Sequence, residues 1–335
     1  MPAIKDLRIY QMGRETTRGT AVAATTRWIG ELEVTPQEPV IVPAAQLGIL
    51  VEHPTTDAIA TRHAELRLSA DLTYEQILHV LNMGLQGVTS GSGAGADKTW
   101  TFAPTYTGDP ALNSFTFQRR LTDGTTNWDE RVAYVLATEW TVSAAVGENA
   151  KVEVSAVGRP VETGQAITPS IPVPAVNFVP ASAFKVYVND TLATIGTTQL
   201  SGTVVSFRLT YQSPVVVKYY LDARTDKSFT AVALRRAAWT CELQVEWTAA
   251  VEAERTKAAS RSIRYVRLEA VGPALGASNY KVTFDFPAVH EAGQFDQAGD
   301  RDGADTATLR LRDIYDSANS FGLKAVVVNA LATLP

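Results

Sequence analysis

Hydrophobic positions in the segment His63–Gly87, HAELRLSADLTYEQILHVLNMGLQG, change period midway. In AELRLSA, Leu66 and Leu68 face one way while Glu65, Arg67 and Ser69 face the other, the two-residue alternation of a strand covered on one side. From Thr73 the spacing turns helical. Tyr74, Ile77, Leu78, Leu81 and Leu85 share one face, Thr73 and Gln76 have capping-box spacing, and Gly84 and Gly87 offer stops. The segment Thr240–Ile263, TCELQVEWTAAVEAERTKAASRSI, makes the same change. Cys241, Leu243, Val245 and Trp247 alternate with Glu242, Gln244 and Glu246, and Thr248 caps an Ala-rich helix running to about Ala259.

Strand-like runs fill the remainder. RWIGELEV precedes the first copy; TWTF, SFTFQR, RVAYVLATEWTVSA and AKVEVSAV follow it, the last two joined by the turn AVGENA. QLSGTVVSFRLTY and PVVVKYYLDA read as a hairpin turning at Gln212 and Ser213, and the polar loop RTDKSFTAVALRR leads into the second copy. IRYVRLEAV, YKVTFDF, TATLRLRD and GLKAVVVNA complete the chain. The order of elements repeats although the residues differ. The expected fold is therefore mainly β, with two tandem β-sandwiches or partly closed barrels, each flanked by one α-helix.

Proline marks the division. Gly158–Ser182 contains Pro160, Pro169, Pro172, Pro174 and Pro180, which remove backbone donors and fix φ. The expected organisation is an N-terminal arm over 1–27, a first β domain over 28–160, a connector over 161–182 and a second β domain over 183–335. A long irregular stretch runs from Pro36 to about Arg62, a length usual for functional loops.

Composition narrows the function. The 335 residues carry a net charge of −5 with 19% charged residues, which argues against a chain that grips phosphate backbones. It leaves room for a surface past which DNA slides. A single cysteine, Cys241, excludes a disulfide within the chain, and its apolar phase makes it a core thiol. The first residues contain no apolar run of signal length, and no run is long enough to cross a bilayer. A soluble protein folded in the cytoplasm, with no membrane partner, is expected.

The candidate chemistry is thin. His53, His63, His79 and His290 lack metal-ligand spacing, and His79, between apolar helix neighbours, reads as half-buried and structural. In TSGSGAGADKTW, Asp97 separates Lys98 from the glycines and a strand follows, so it is a flexible loop and not a phosphate cradle. No G-x-S-x-G elbow occurs. DQAGDRDGADT gathers Asp296, Asp300, Asp302 and Asp305 but misses the EF-hand spacing and reads as a solvated loop. Glu242 with Glu246, or Glu139 with Glu153, could form an acid/base pair only if brought together in a cleft. Trp140 and Trp247 lie on apolar strand phases, leaving no aromatic sugar platform. No enzyme, cofactor or metal site is expected.

Four segments carry a likeness to a known family: TRGTAVAATTRWIGELEV, AELRLSADLTYEQILHVLNMGLQG, TEWTVSAAVGENAKVEVSAVGRPVE and DTATLRLRDIYDSANSFGLKAVVV. The chain resembles the tail tube proteins of long-tailed bacteriophages, in the form that carries two tube units per chain. The resemblance implies β-sandwich units with a flanking helix whose inner strands join into one barrel around a DNA channel. It implies rings of three chains standing in for six units, or rings of six chains. It also implies stacking of rings, partnership with tape measure and tail terminator or tip proteins, and a place in the virion tail after assembly in the host cytoplasm. Contacts between rings are expected from the arm and the long loop, at Ile4, Arg8, Arg14, Arg18, Pro36, Val40, Leu47 and His53. Channel charges are expected at Glu139, Glu148, Glu153 and Asp222, in a lumen that is negative or neutral so that DNA is not trapped. A distal tail or contractile-system tube component, and a β-sandwich module recognising carbohydrate or a host surface, are the alternatives.

Overall fold

The computed structural model describes residues 2–41, 58–85, 87–93, 95–106 and 113–334. The protein is mainly β. In chain order the strands of the first half are β1 (Ile9–Arg14), β2 (Thr26–Arg27), β3 (Glu31–Gln37), β4 (Val40–Ile41), β5 (Ala58–Ile59) and β6 (His63–Asp71). Helix α1 (Ile77–Gly84) follows, then β7 (Val88–Ser92), β8 (Lys98–Phe102), β9 (Phe115–Thr122), β10 (Asn127–Ala145), β11 (Lys151–Gly158) and β12 (Glu162–Thr163). The second half begins with β13 (Phe184–Asn189), β14 (Val204–Gln212), β15 (Val215–Lys218), β16 (Ala231–Leu234) and β17 (Ala238–Glu246). Helix α2 (Ala249–Ser260) precedes β18 (Arg264–Leu275), β19 (Ser278–Arg301), β20 (Ala304–Asp313) and β21 (Lys324–Asn329).

The ladders repeat as the element order does. In the first half β3 pairs with β6, β6 with β11, β11 with the later part of β10, and the earlier part of β10 with β9. In the second half β14 pairs with β17, β17 with β20, β20 with the later part of β19, and the earlier part of β19 with β18. Each long strand thus changes partners along its length, and β10 in doing so passes from one sheet to another. In β10 the change of direction falls at a bulge between Val132 and Val135, where Tyr134 takes a left-handed φ of 55°. Registers match too: Leu68 faces Leu32 and Val154, and Leu243 faces Phe207 and Leu309.

The two halves join edge to edge. The later part of β10 pairs antiparallel with β14, from Glu139 opposite Gln212 to Ala145 opposite Ser206. One wall therefore runs β3–β6–β11–β10–β14–β17–β20–β19. The strands wrap around the core as a barrel does, yet among the described residues no register joins β3 to the later part of β19.

One core serves both halves. Leu32, Leu66, Leu68 and Val154 belong to the same buried cluster as Leu209, Leu243, Phe284 and Val327. Trp140 of β10 stacks on Tyr211 of β14 at 5.4 Å and lies 5.8 Å from Phe284 of β19. The β7–β8 hairpin of the first half adds itself to β21 of the second. The proline-rich 161–182 segment is not a free spacer: Ile167, Ile171 and Val179 are buried, and Thr168 accepts from Ala24 and donates to Gln118.

Several expectations need correction. β14 and β15 do not pair with each other. β14 is held on both sides by β10 and β17, and β15 pairs with β16. The acidic segment 296–305 is not a solvated loop but the end of the β19–β20 hairpin. Asp302 and Gly303 turn it with φ of 53° and 84°, and Asp300 accepts from the Gly303 amide at 2.9 Å. Asp-Gly is a strong two-residue hairpin signal, outweighed in the sequence by the density of carboxylates. The start of TSGSGAGADKTW is strand β7. Helix α1 starts at Ile77, after a turn closed by a hydrogen bond from the Gln76 amide to Thr73 Oγ1, while the Gln76 side chain donates to Arg27 O instead of completing the box. Residues 1–27 are not a free arm, since β1 runs the length of β9.

Candidate functional site

The wall has one apolar face and one polar face because its strands alternate. Leu66, Leu68, Val152, Val154, Leu209, Leu243 and Leu309 point into the core. Glu31 and Glu33 on β3, Glu65 and Arg67 on β6, Lys151 and Glu153 on β11, Arg208 on β14 and Glu242 on β17 are exposed on the opposite side. The polar face is lightly cross-braced. Arg208 lies 3.7 Å from Glu153 and Arg310 lies 3.3 Å from Glu242. Lys151 donates to Glu148, whose carboxyl it holds below the usual carboxylate range, at 2.9 Å. Thr141 and Thr210 hydroxyls meet at 3.0 Å across the β10–β14 seam. Acidic groups dominate the β3 end, so the face is negative there and nearly balanced beyond the seam. A shallow groove crosses it, floored by Ser143, Lys151, Ser206, Arg208, Glu242 and Thr308.

Of the charges expected to face a channel, Glu139 and Glu153 belong to this surface and Glu148 to the β10–β11 turn at its rim. Asp222 does not. It lies exposed in the β15–β16 connection and accepts from Thr230 Oγ1 at 2.7 Å. Among the residues expected to reach another ring, Ile4 and Arg8 precede β1 and Arg14 and Arg18 fall at its other end, so the strand holds the two pairs apart. Arg14 donates to Asn113 Oδ1 at 2.9 Å. Pro36 is exposed on β3 and Val40 on β4, and Leu47 and His53 lie outside the described residues.

Away from the wall, a buried charge cluster joins α2 to the sheet. Glu254 of α2 accepts from Arg264 of β18 at 2.7 and 2.8 Å and lies 3.4 Å from His290 Nε2 of β19, and Arg264 also pairs with Asp190. Burial would raise the Glu254 carboxyl, but the His290 and Arg264 contacts outweigh it and hold the group below its ordinary value. The cluster is enclosed, with Arg264 1% exposed. It ties a helix to a sheet and reaches solvent at Asp190, whose side chain is exposed. His79 is fully buried on α1 and not half-buried as expected, and desolvation depresses its pKa to about 4. Burial of Cys241 raises its thiol, leaving it protonated and unreactive. Among the described residues no group of His, Cys, Asp or Glu could hold a metal ion, and no helix is long and apolar enough to cross a membrane.

The sequence held a signal for the repeat that element order alone did not expose. Thr35–Val42 reads TPQEPVIV and Thr210–Val217 reads TYQSPVVV, sharing T-x-Q-x-P-V-x-V. The motif marks the end of β3 and the start of β4 in one half, and the end of β14 and the start of β15 in the other. No family model matches this chain, and no curated protein matches it.

Proposed function

We propose that the chain is a self-assembling wall subunit of a phage tail tube, closing with copies of itself into rings that stack around a channel for DNA. The observation that carries the reading is the β10–β14 seam. Within one molecule the outer edge of one four-strand unit is satisfied by the first strand of the next. Among the described residues the same two edges, on the later part of β19 and on β3, have no second ladder partner at the ends of the wall. An unpaired edge is a template for another chain, and a head-to-tail contact of this kind closes into a ring when its rotation allows. Repetition of the internal seam between molecules continues the wall and removes every wall edge.

The polar, partly acidic face turns inward and repels the DNA backbone weakly, so the duplex passes without being held. The helices and outer sheets brace the outside. The resemblance to phage tail tubes puts six units in a ring, hence three of these chains, with tape measure, terminator and tip proteins as further partners. Electron microscopy of the purified protein at high concentration tests the reading. Rings or tubes of constant diameter are expected. A monodisperse monomer at the same concentration overturns it, and a monomer that also binds glycans on an array points to a recognition module instead.

A further inference from the structure

We infer that the acidic tip of the β19–β20 hairpin of one copy seats in a basic pocket at the start of β3 in the next copy of the same ring. This rests on the ring reading above. It differs from the expectation that Arg8 reaches another ring.

The pocket, of about 330 Å³, lies between the segment before β1 and the turn into β3, and Lys5, Arg8, Arg27, Trp28, Gly30 and Val173 line it. Lys5 pairs with Glu31. The other two cations are not engaged. Among the described residues neither the Arg8 nor the Arg27 guanidinium makes a hydrogen bond or an ion pair, and Arg27 Nε is buried without an acceptor. Even with Asp6 and Glu31 at its rim the pocket is net positive, in a chain whose net charge is −5. Val173, 66% exposed, leaves an aliphatic surface at its edge.

The hairpin tip is the converse. Asp300, Asp302 and Asp305 are exposed, and Asp300 faces Asp305 directly across the ladder. Like charges directly opposite destabilise a strand pair. Arg301, between them, is held by Glu246 at 3.0 Å. Among the described residues neither Asp302 nor Asp305 has an ion pair. The tip lacks cations as the pocket lacks anions.

The internal seam says that the two meet. Aligning the halves through their ladders makes Gly299 the counterpart of Ser143 and Arg301 that of Ala145 on the long strands. On the edge strands Glu31 is the counterpart of Ser206 and Glu33 that of Arg208. Within one molecule Ala145 faces Ser206, and the next step is a hydrogen bond from the Val146 amide to Val205 O. The same register between copies sets Arg301 opposite Glu31 and Asp302 opposite Gly30. The first pair is of opposite charge. The second carries the tip into the pocket that Gly30 lines, beside Arg8 and Arg27.

The test compares the wild-type chain with D302N/D305N and with R8E. All three positions are exposed, and Asn accepts the left-handed φ of 53° at position 302, so the melting temperature of the single subunit should not fall. Loss of exposed charge contacts should raise the concentration for half-maximal ring formation about fivefold in either variant, an effect that shrinks in high salt. The two variants shift net charge in opposite directions, so a shared loss does not come from net charge. R8E/D305R exchanges the charges and should form rings at a lower concentration than R8E. Assembly of D302N/D305N and R8E at the wild-type concentration, or R8E/D305R no better than R8E, overturns the contact and leaves the ring standing. A wild-type chain that never forms rings overturns both.

Discussion

The two helices occupy the same place in the repeat and are held by opposite means. Every residue of α1 is buried, Gly84 lies so close to Trp140 that a Cβ there would meet its ring at 2.5 Å, and Tyr74 in the preceding turn rests on Tyr280 of the second half. Helix α2 buries only Val251 and Glu254, and its hold on the sheet is the Glu254–Arg264–His290 cluster. The difference follows from position. α1 lies where the halves meet and is covered by both, while α2 lies on the outer flank with one polar face in water. The strand pairing is alike in the two halves, and local surroundings decide what each helix is made of.

The largest effect should come from α2's anchor. Arg264→Ala leaves a buried carboxylate without its main partner and should cost about 3–5 kcal/mol in denaturant unfolding. The double variant R264M/E254L removes both charges and should recover most of that loss, which separates charge imbalance from lost packing. Leu81→Ala in α1 removes only apolar volume and should cost about 2–5 kcal/mol, with no rescue by a second charge change. If R264M/E254L is as unstable as R264A, the contrast between the helices fails.

The buried histidines sharpen the same comparison through pH. His290 has Glu254 beside it, whereas His79 Nδ1 has no hydrogen-bond partner and burial alone lowers the His79 pKa from 6.5 to about 4. A folded-state pKa below the unfolded one means that the unfolded chain binds the proton first as pH falls. Stability is thus full above about pH 6.5, declines from there towards pH 4, and the decline amounts to roughly 3 kcal/mol. His79→Leu should flatten that part of the stability curve, as read from melting temperatures between pH 4 and 7. An unchanged slope would mean that His79 takes up its proton in the folded state.

How much of this was legible depends on whether the determinant is local. Strand alternation in AELRLSA and CELQVEW, and the helical spacing after each, are short-range patterns, and both elements form as the pattern indicates. What escaped is long-range. Chain order pairs β14 with its neighbour β15, but its partners are β10 and β17, and nothing near Val204–Gln212 encodes β10 as the other side of the seam. Arg264 stands at the head of a strand and gives no hint that α2 will deliver Glu254 to it. The Asp-Gly pair at Asp302 and Gly303 carries a legible turn signal, but carboxylate density suggests solvent where turn geometry requires only two left-handed residues. The division at the prolines was clear in sequence, but the shared core around Trp140, Tyr211 and Phe284 shows that a change of chain texture need not divide the packing.

The smallest expected effect is on the wall itself. Arg208 and Glu153 face each other across β10, one from each half, at 3.7 Å with more than half of each side chain exposed. Water screens such a pair and ordering two long side chains offsets its attraction, so Glu153→Gln should change stability by less than about 1 kcal/mol. A double-mutant cycle with Arg208→Gln should give a coupling of about 0.2–1 kcal/mol that shrinks in high salt. A coupling as large as that of the Arg264 cluster would mean that the polar face is dry and closed over, which a channel wall is not. A small coupling means that the fold does not depend on where these charges point, which on the proposed tube reading leaves them free to set the field that a passing polyanion meets.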